Sequence, residues 1–248
     1  MHDPKISLIT VSYNAQSTIK QCIQSVIAQD YNNVEYIIID GGSSDNTLDI
    51  ISEYKTYISV LVSEPDRGIY DAMNKGIALA TGDVIGVLNA DDYFADKTVL
   101  SSVAGAFKIN DIDIIYGDLD YVKPDGNIIR KWRAGQYNKG MFNMGWMPPH
   151  PTFYCKKELF DLLGNYSLNF GTAADYELML RFIHVNKPTV YYLQKVLVKM
   201  RTGGVSNKSY TGRIKALYYD FKAMNNNNII FSPMALLFKP LRKIKQFF

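Results

Sequence analysis

The sequence predicts an α/β fold in which helices cover both faces of a mostly parallel central sheet. The chain has 248 residues, enough for one large α/β domain or two small ones. Strand and helix patterns alternate four times within about the first 90 residues, which is typical of parallel strands joined by right-handed crossovers. Buried strand patterns also run directly into polar residues, and ligands of open α/β sheets bind beyond the carboxyl ends of the strands.

Apolar spacing predicts the elements of the first half. Runs of β-branched and apolar residues indicate strands at 6–11, 34–39, 58–62 and 84–88. Helical spacing predicts helices at about 16–28, 45–54 and 69–80. Asp45 is expected to cap the second helix and Gly82 to close the third.

The second half has a less regular pattern, typical of a smaller α+β unit. We expect a strand at 112–116, a hairpin at 119–132 that turns at 123–126, and a strand at 189–198. Helices are expected at 97–107, 156–163, 175–185 and 208–225. No linker interrupts the chain near residue 115. We therefore expect one domain over 1–228, with halves at 1–115 and 116–228, followed by a tail at 229–248.

Charge and cysteine content narrow the function classes. The net charge is +3, and residues 233–248 hold four cations and no acid, which leaves −1 for the rest of the chain. The basic pI therefore reflects the tail, and we expect no nucleic-acid partner. No apolar run approaches the roughly 20 residues of a membrane-spanning helix. The polar N-terminus lacks a signal peptide pattern, and two isolated cysteines suit a reduced cytoplasmic protein.

Three strand ends carry polar groups that can bind a ligand. Asp91 and Asp92 follow the strand at 84–88, and a nearby cation is the natural way to keep two adjacent carboxylates ionised. Tyr13 and Asp40 follow the first two strands, and an aromatic ring with a carboxylate suits a nucleobase. Separate surface loops, or a helix cap at Asp92, are the alternatives. The Gly-rich turn at 41–45 lacks the lysine and spacing of a phosphate-binding loop.

These motifs resemble the family 2 glycosyltransferases with the GT-A fold. The resemblance rests on Val11-Ser12-Tyr13-Asn14, on the segment from Asp40 to Asp45, and on Asn89-Ala90-Asp91-Asp92. The segment from Asp66 to Gly76 is similar to bacterial members that build surface polysaccharides of the colanic-acid and O-antigen type. The similarity extends over roughly residues 5–205.

The resemblance implies a nucleotide-diphosphate sugar donor and a divalent metal, Mn²⁺ or Mg²⁺. By the resemblance, the nucleobase of the donor would contact Tyr13, Asp40 and the backbone of Val11. Arg67 would approach the nucleotide or diphosphate, and Asp91 would lie near the ribose and donor sugar. Asp92 would bind the metal, and oxygen ligands favour the hard ions named above.

The resemblance also implies a base for the acceptor hydroxyl. The segment at 172–181 resembles the family's Glu-Asp segment, but the usual Glu falls on Ala174. Asp175 is therefore the expected base and Glu177 the second candidate, while a helix cap is the alternative role of Asp175. One displacement from the opposite face of the sugar would invert the anomeric centre.

Further residues are possible site members. Asn74 lies in the segment at 66–76, and His150 either contacts diphosphate, metal or acceptor or fixes a turn. Arg201 begins a Gly-containing loop that resembles the family's mobile loop, where it would face phosphate. The chain lacks the Gln-x-x-Arg-Trp motif of processive synthases, which favours transfer of a single sugar.

The tail combines apolar residues at helical spacing with cations. Such segments suit an anionic membrane surface, and Pro240 is expected to kink or divide the helix. Packing onto the domain or onto a second subunit is the alternative. A membrane role would place the protein peripherally at the inner face of the cell membrane.

We therefore predict an inverting, metal-dependent glycosyltransferase that moves one sugar from a nucleotide-sugar donor, UDP-linked by expectation, to a glycan hydroxyl. The expected acceptor is a lipid-linked intermediate of surface polysaccharide synthesis. A sugar nucleotidyltransferase is the rival enzyme, but residues 12–15 lack its Gly-rich basic loop. A non-catalytic nucleotide-sugar-binding component of a polysaccharide assembly complex is the other alternative.

Overall fold

A computed structural model describes residues 3–109, 111–202, 210–244 and 246. The nine strands of the sheet are β1 Ile6–Ser12, β2 Val34–Asp40, β3 Val60–Ser63, β4 Val84–Val87, β5 Asp92–Phe94, β6 Ile114–Val122, β7 Ile128–Trp132, β8 Tyr154–Lys156 and β9 Val190–Arg201. The helices are α1 Ile19–Ile27, α2 Thr47–Ser52, α3 Ile69–Leu79, α4 Val99–Ile109, α5 Lys157–Leu163, α6 Ala174–Met179, α7 Tyr210–Asn226 and α8 Ser232–Ile244. A π-helical stretch, Leu180–Val185, continues α6.

The strands lie in the order β3-β2-β1-β4-β8-β6-β9-β5, with β7 paired to the side of β6. The first four are mutually parallel, as the crossover pattern predicts. Ser12 lies opposite Asp40, and Asp40 opposite Ser63, so the polar strand ends are aligned. The second half is mixed: β8 is antiparallel to β4 and β6, whereas β9 is parallel to β6.

Apolar layers cover both faces of the sheet. Alternate residues of a strand point to opposite faces, so Ile9 and Ile37 join one layer while Leu8 and Ile38 join the other. The layer around Ile9 includes residues of α3 and α6. The opposite layer includes residues of α1 and α4. Helices on both faces of the central sheet are therefore confirmed.

Several element boundaries differ from expectation for local reasons. The strand expected at 112–116 continues without a break into the first arm of the hairpin, forming β6. Helix α2 begins at Thr47, and the Asp45 carboxylate accepts from the backbone of both Thr47 and Gln16 instead of occupying the cap position. A Cβ at Gly82 would lie 2.6 Å from the Lys5 carbonyl oxygen. Gly82 is thus required for close approach to β1 and does not end α3.

The tail packs against the rest of the chain through α8, which runs through Pro240 without being divided. Ala235 is fully buried, and Lys239 forms a 2.7 Å ion pair with Asp220 on α7. A Cβ at Gly145 would lie 2.5 Å from the Ala235 carbonyl oxygen, so the two backbones are in direct contact. One face of α8 therefore packs on the protein, as the alternative interpretation of the tail had it.

The other face of α8 is exposed to solvent. Met234, Leu237 and Leu241 are 55%, 69% and 55% exposed and recur at helical spacing. Lys245 and Phe248, which belong to the predicted amphipathic pattern, lie outside the described residues. Within the described ranges, no helix is long and apolar enough to cross a membrane.

Candidate active site

The Asp40 carboxylate holds the ends of three neighbouring strands together. It accepts hydrogen bonds from the hydroxyls of Ser12, Ser43 and Ser63 at 3.0, 2.5 and 2.8 Å, and from the backbone of Gly42 and Ser43 at 3.1 and 2.8 Å. Burial opposes ionisation, but these bonds outweigh it and lower the pKa of Asp40 below its ordinary value. The Asp40 side chain, which is expected to contact the nucleobase, therefore already accepts hydrogen bonds from several donors of its own chain.

An exposed aromatic ring lies beside this cluster. Tyr13 is 66% exposed, and a Cβ at Gly41 would lie 3.5 Å from the Tyr13 ring and 2.4 Å from Asp66 Oδ2. The carbonyl of Val11 accepts from Ala90 at 3.2 Å, which joins the first strand end to the loop before Asp91. Asp66 thus brings a carboxylate to the Tyr13 ring. Sequence reasoning had passed over Asp66, although its place directly before Arg67 was a signal.

Arg67 directly follows Asp66 in the chain and is exposed. Its guanidinium pairs with Asp71 Oδ1 at 2.9 Å, and its backbone N–H donates to Asp71 Oδ2 at 3.0 Å. The side chain is 77% exposed, so the ion pair leaves much of the guanidinium accessible to an anion. This position is compatible with the expected approach to the nucleotide.

The carboxylate pair after β4 combines burial with missing partners. Asp92 is fully buried, and Asn89 Nδ2 lies 3.5 Å from Asp92 Oδ2. Among the residues that the structure describes, Asp92 Oδ1 and Asn89 Oδ1 are both buried without a partner. Burial, and then the neighbouring Asp91 charge, raise the pKa of Asp92 well above its ordinary value. Burial also raises the pKa of Asp91, which stays partly exposed.

These orphaned oxygens fit a divalent cation. Two adjacent carboxylates and an amide oxygen are hard ligands, and a bound cation would compensate charge that the chain leaves unpaired. No group of three or more His, Cys, Asp or Glu able to hold a metal occurs in the described part of the chain. A cation here would accordingly need ligands from a bound molecule, as Mg²⁺ does when it binds one or two carboxylates and substrate phosphates.

Arg201 joins the end of β9 to this pair. Its Nη1 donates to the Asp91 carbonyl oxygen at 2.7 Å, and its Nη2 contacts Gln21 Oε1. The guanidinium carbon also lies 5.0 Å from the centroid of the Tyr93 ring. Arg201 therefore ends a strand, which differs from the expected place in a loop. The expected hinges Gly203 and Gly204 lie outside the described residues.

Asp175 lies in the first turn of α6 and lines a cavity of about 990 Å³. Its Oδ1 accepts from the backbone of Tyr176 at 2.8 Å. The preceding turn depends on Gly171, which has φ +47° and lies so close to the Tyr219 ring that a Cβ would collide with it. Asn89 lines the same cavity, which brings the loop before Asp91 and the expected base to one space.

Glu177 does not reach this space as a free carboxylate. It is 2% exposed and accepts from Arg181 Nε at 3.0 Å and Nη2 at 3.2 Å. Arg181 in turn donates to the carbonyls of Gly164 and Asn165 at 2.9 and 2.8 Å. This pair braces the loop after α5, so the expectation of Glu177 as second base is corrected: its carboxylate is committed to a buried ion pair.

Asn74 and His150 belong to one chain of contacts beside Asp175. Both polar groups of the Asn74 side chain bond the backbone of Tyr166, each at 2.9 Å. The Tyr166 hydroxyl then lies 2.7 Å from His150 Nε2. Burial lowers the pKa of His150, while the nearby Asp175 charge acts in the opposite direction. Asn74 therefore holds the backbone of Tyr166, whereas His150 lines the cavity itself.

A sheet whose parallel strand ends carry carboxylates beside a large cavity is compatible with the GT-A class of nucleotide-sugar transferases. The family model "Glycosyl transferase family 2" matches residues 7–170, and the chain belongs to this family. A glycosyltransferase function follows from this membership. It selects the glycosyltransferase over the rival nucleotidyltransferase and over a non-catalytic component.

Relatives of known sequence are also glycosyltransferases. The chain is 34% identical over 215 residues to an uncharacterized glycosyltransferase of Mycobacterium tuberculosis, covering 82% of this chain and 78% of the relative. It is 32% identical over 192 residues to an Escherichia coli UDP-Glc:alpha-D-GlcNAc-diphosphoundecaprenol beta-1,3-glucosyltransferase, covering 75% and 72%. The family and its association with surface polysaccharide enzymes are thereby confirmed.

Solved structures of low sequence identity share the fold. Staphylococcus aureus TarS 1–349 in complex with UDP-GlcNAc superposes with a TM-score of 0.69 at 16% identity, covering 89% of this chain and 66% of that one. The chain spans 39% of the longer TarS structure. A Pyrobaculum calidifontis mannosyltransferase in complex with GDP-Man and Mn²⁺ gives a TM-score of 0.69 at 16% identity, covering 97% and 70%. The GT-A fold is confirmed.

Proposed function

We propose that this chain transfers one sugar, with inversion and with the help of a divalent metal, from a UDP-sugar to a hydroxyl of a lipid-linked glycan. The donor half would be residues 1–115 and the acceptor half residues 116–228. The observation that carries the proposal is the common cavity of Asn89 and Asp175. This cavity joins the loop after β4, where the metal and the donor would bind, to the Asp175 carboxylate, which can accept a proton.

On the donor side, Tyr13 would offer its ring and Asp66 its carboxylate to the nucleobase of the donor. Stacking on the exposed Tyr13 ring and an N–H donated to Asp66 suit a pyrimidine such as uracil. Asp40 would support this site through the hydrogen bonds that it accepts from Ser12, Ser43 and Ser63. UDP is favoured because the Escherichia coli relative, at 32% identity, is named for the donor UDP-Glc.

Asp92 and Asp91 would hold the metal. A divalent cation there neutralises the charge that develops on the departing diphosphate. Arg67 and Arg201 would add positive charge on either side of that region. Mn²⁺ is supported by the mannosyltransferase structure with bound Mn²⁺, although the residues themselves suit Mg²⁺ equally well.

On the acceptor side, Asp175 would take the proton of the attacking hydroxyl. It lines the cavity together with His150, and a carboxylate within hydrogen-bond reach of the hydroxyl can accept its proton. Attack from the face opposite the leaving group inverts the anomeric centre in a single displacement. No second nucleophile is required for this outcome.

We infer the acceptor from a named relative and the location of the enzyme from the exposed apolar face of α8. The named Escherichia coli relative acts on a saccharide linked to diphosphoundecaprenol. The exposed apolar face of α8, with Met234, Leu237 and Leu241, would bind the membrane that carries such an acceptor. Such binding would put the protein peripherally at the cytoplasmic face of the cell membrane.

A donor screen tests the proposal directly. Purified protein is incubated with a panel of UDP-, GDP- and TDP-sugars and Mn²⁺, and bound donors are identified by their thermal shift. Donors that bind are then offered to a bacterial polyprenol-linked glycan extract, and the anomeric configuration of the product is read by NMR. We expect UDP-sugar binding that EDTA removes, and a product of inverted configuration.

Two results would contradict this function. A product with retained configuration would exclude the single displacement at Asp175. Transfer that proceeds at full rate in EDTA would exclude a metal role for Asp91 and Asp92. Asp30→Asn, on an exposed carboxylate, is the control for nonspecific charge effects.

A further inference from the structure

The acceptor cavity is built partly from the C-terminal helix. Phe238, Lys239, Leu241 and Arg242 of α8 line it together with residues of the β6–β7 hairpin. Two hydrogen bonds hold α8, and Gln246 beyond its end, in this position. Arg242 Nε donates to the Met144 carbonyl oxygen at 2.9 Å, and Arg130 Nε on β7 donates to Gln246 Oε1 at 2.6 Å. The tail is therefore a wall of the cavity as well as a candidate membrane contact.

Cations outnumber acids on the cavity wall. Four basic residues line it (Lys131, Arg133, Lys239 and Arg242), against the two acids Asp175 and Asp220. Lys239 is neutralised by its 2.7 Å pair with Asp220, and its ammonium lies 3.6 Å from the centroid of the Tyr176 ring. Of the other three, Lys131 and Arg242 carry the excess charge, because Arg133 has acid partners outside the cavity lining.

Arg133 is anchored from behind by two buried acids. Its Nη1 lies 2.7 Å from Asp120 Oδ1, and its Nε lies 3.8 Å from Asp118 Oδ2. The acid side chains are only 7% and 6% exposed, whereas the Arg133 side chain is 42% exposed. A guanidinium held on one edge presents its remaining N–H groups in a fixed direction, which suits bidentate recognition of phosphate.

Lys131 and Arg242 have no such neutralisation. Neither has a carboxylate partner among the described residues. Both line the cavity that Arg133 lines. Positive charge gathered in a partly enclosed space attracts anions more strongly than the same charge on an open surface.

Apolar and aromatic groups continue the wall next to these cations. Trp132 adjoins Lys131 and Arg133 in sequence, while Met144, Phe238 and Leu241 lie at the α8 side. Leu241 is also part of the exposed apolar face of the helix. The lining therefore suits a molecule with an anionic group and an apolar chain that leaves along α8.

We propose that Arg133 and Arg242, supported by Lys131, form a binding site for the phosphate or diphosphate of an amphipathic acceptor. This inference rests on the proposed function and adds its acceptor-anion subsite. The acceptor sugar would then lie toward Asp175 and the lipid chain toward Leu241. The same anion chemistry could come from the headgroups of an anionic membrane, and the test separates the two sources.

The experiment measures binding of a soluble probe to the full chain. Decyl diphosphate and the neutral decyl glucoside are titrated by calorimetry, with saturating UDP and Mn²⁺ present to fill the donor site. The variants are Arg242→Gln, which leaves the buried acids untouched, and Arg133→Lys, which keeps their countercharge but loses the fork. Lys123→Gln, at the turn of the same hairpin, is the matched control.

We expect the wild type and the Lys123 variant to bind decyl diphosphate at least tenfold more tightly than decyl glucoside. Loss of a charge-assisted contact should weaken diphosphate binding roughly 10- to 100-fold in each arginine variant and leave decyl glucoside unchanged. Equal affinity for both probes in the wild type would overturn the inference. So would unchanged diphosphate binding in both arginine variants.

A vesicle arm separates the membrane source. Co-sedimentation with phosphatidylglycerol and with phosphatidylcholine vesicles is compared across the same variants. If Arg242→Gln loses phosphatidylglycerol binding but keeps decyl diphosphate affinity, the cations bind headgroups and the acceptor subsite is wrong. The sugar-transfer assay stays independent, because a wild type that transfers sugar without preferring anionic amphiphiles retains the proposed function and loses only this subsite.

Discussion

Replacing Asp92 with Asn should stabilise the metal-free protein at alkaline pH and remove its response to metal. Asp92 is fully buried, and no donor within the described part of the chain reaches its Oδ1. An Asn side chain keeps the shape and brings an amide that can donate to the orphaned Asn89 Oδ1. Relief of a buried carboxyl group that has an unsatisfied oxygen is worth about 1–3 kcal/mol. For a chain of this size, that free energy raises the melting temperature by roughly 2–12 °C.

The sign of the pH dependence follows from the raised pKa of Asp92. Below 3.8, the ordinary pKa of aspartate, the carboxyl is protonated in both the folded and the unfolded chain. Above it, the unfolded chain ionises while the folded chain holds the proton, so wild-type stability falls as pH rises toward the folded-state pKa. The stability difference between Asp92→Asn and the wild type should therefore grow from pH 4.5 to pH 8.5.

Scanning calorimetry in EDTA over that range measures the effect. Mn²⁺ with UDP is then added at pH 8, where the wild type should gain stability and the Asp92 variant should not. Asp30→Asn is the control and should stay within about 0.5 kcal/mol of the wild type. An Asp92 variant that is less stable at every pH, or that keeps the full response to Mn²⁺, would refute the reasoning.

Three further changes test other parts of the site. Asp175→Asn should lower transfer roughly 10²- to 10⁴-fold through loss of the base, with donor affinity unchanged by calorimetry. Asn74→Ala frees the backbone of Tyr166 and should lower kcat roughly 10- to 100-fold through misplacement of the base region, measured by steady-state kinetics with the donor KM retained. Leu237→Ser removes a side chain that is 69% exposed and should weaken co-sedimentation with vesicles roughly tenfold without changing the melting temperature.

Each of these changes has a matched control. Asp30→Asn serves for Asp175, Asn138→Ala for Asn74, and Leu162→Ser, which is 77% exposed on α5, for Leu237. Wild-type turnover in Asp175→Asn would remove that residue as base. Vesicle binding that falls equally in Leu162→Ser and Leu237→Ser would show that the α8 face has no special role.

The first half of the fold was predictable because its signals are local. Each buried strand is a short apolar run, and each crossover helix repeats its apolar positions with helical spacing. The register Ser12–Asp40–Ser63 then follows from pairing neighbouring parallel strands. The Asp91–Asp92 pair could be assigned to a strand end for the same reason, before any contact was known.

The second half was harder because its contacts join distant parts of the chain. Glu177 looked like a candidate base from its position in a helix, but its partner Arg181 also grips a loop 16 and 17 residues upstream. Asn74 contacts Tyr166, which lies 92 residues further along. Asp66 reaches Gly41 through a fold of the backbone that no local pattern shows. Only tertiary packing assigns these side chains their partners.

By itself, the sequence determined the α/β class, the order of the strands' polar ends and the family. These depend on periodicity and on motifs that are contiguous in the chain. Only the tertiary structure shows that Asn89 and Asp175 share a cavity. It also shows that α8, which the sequence predicted to be a membrane-binding tail, lines that cavity. The reason is physical: a helix with cations between apolar residues can cover protein or lipid. The close approach of Gly145 to the α8 backbone decides in favour of protein for one of its faces.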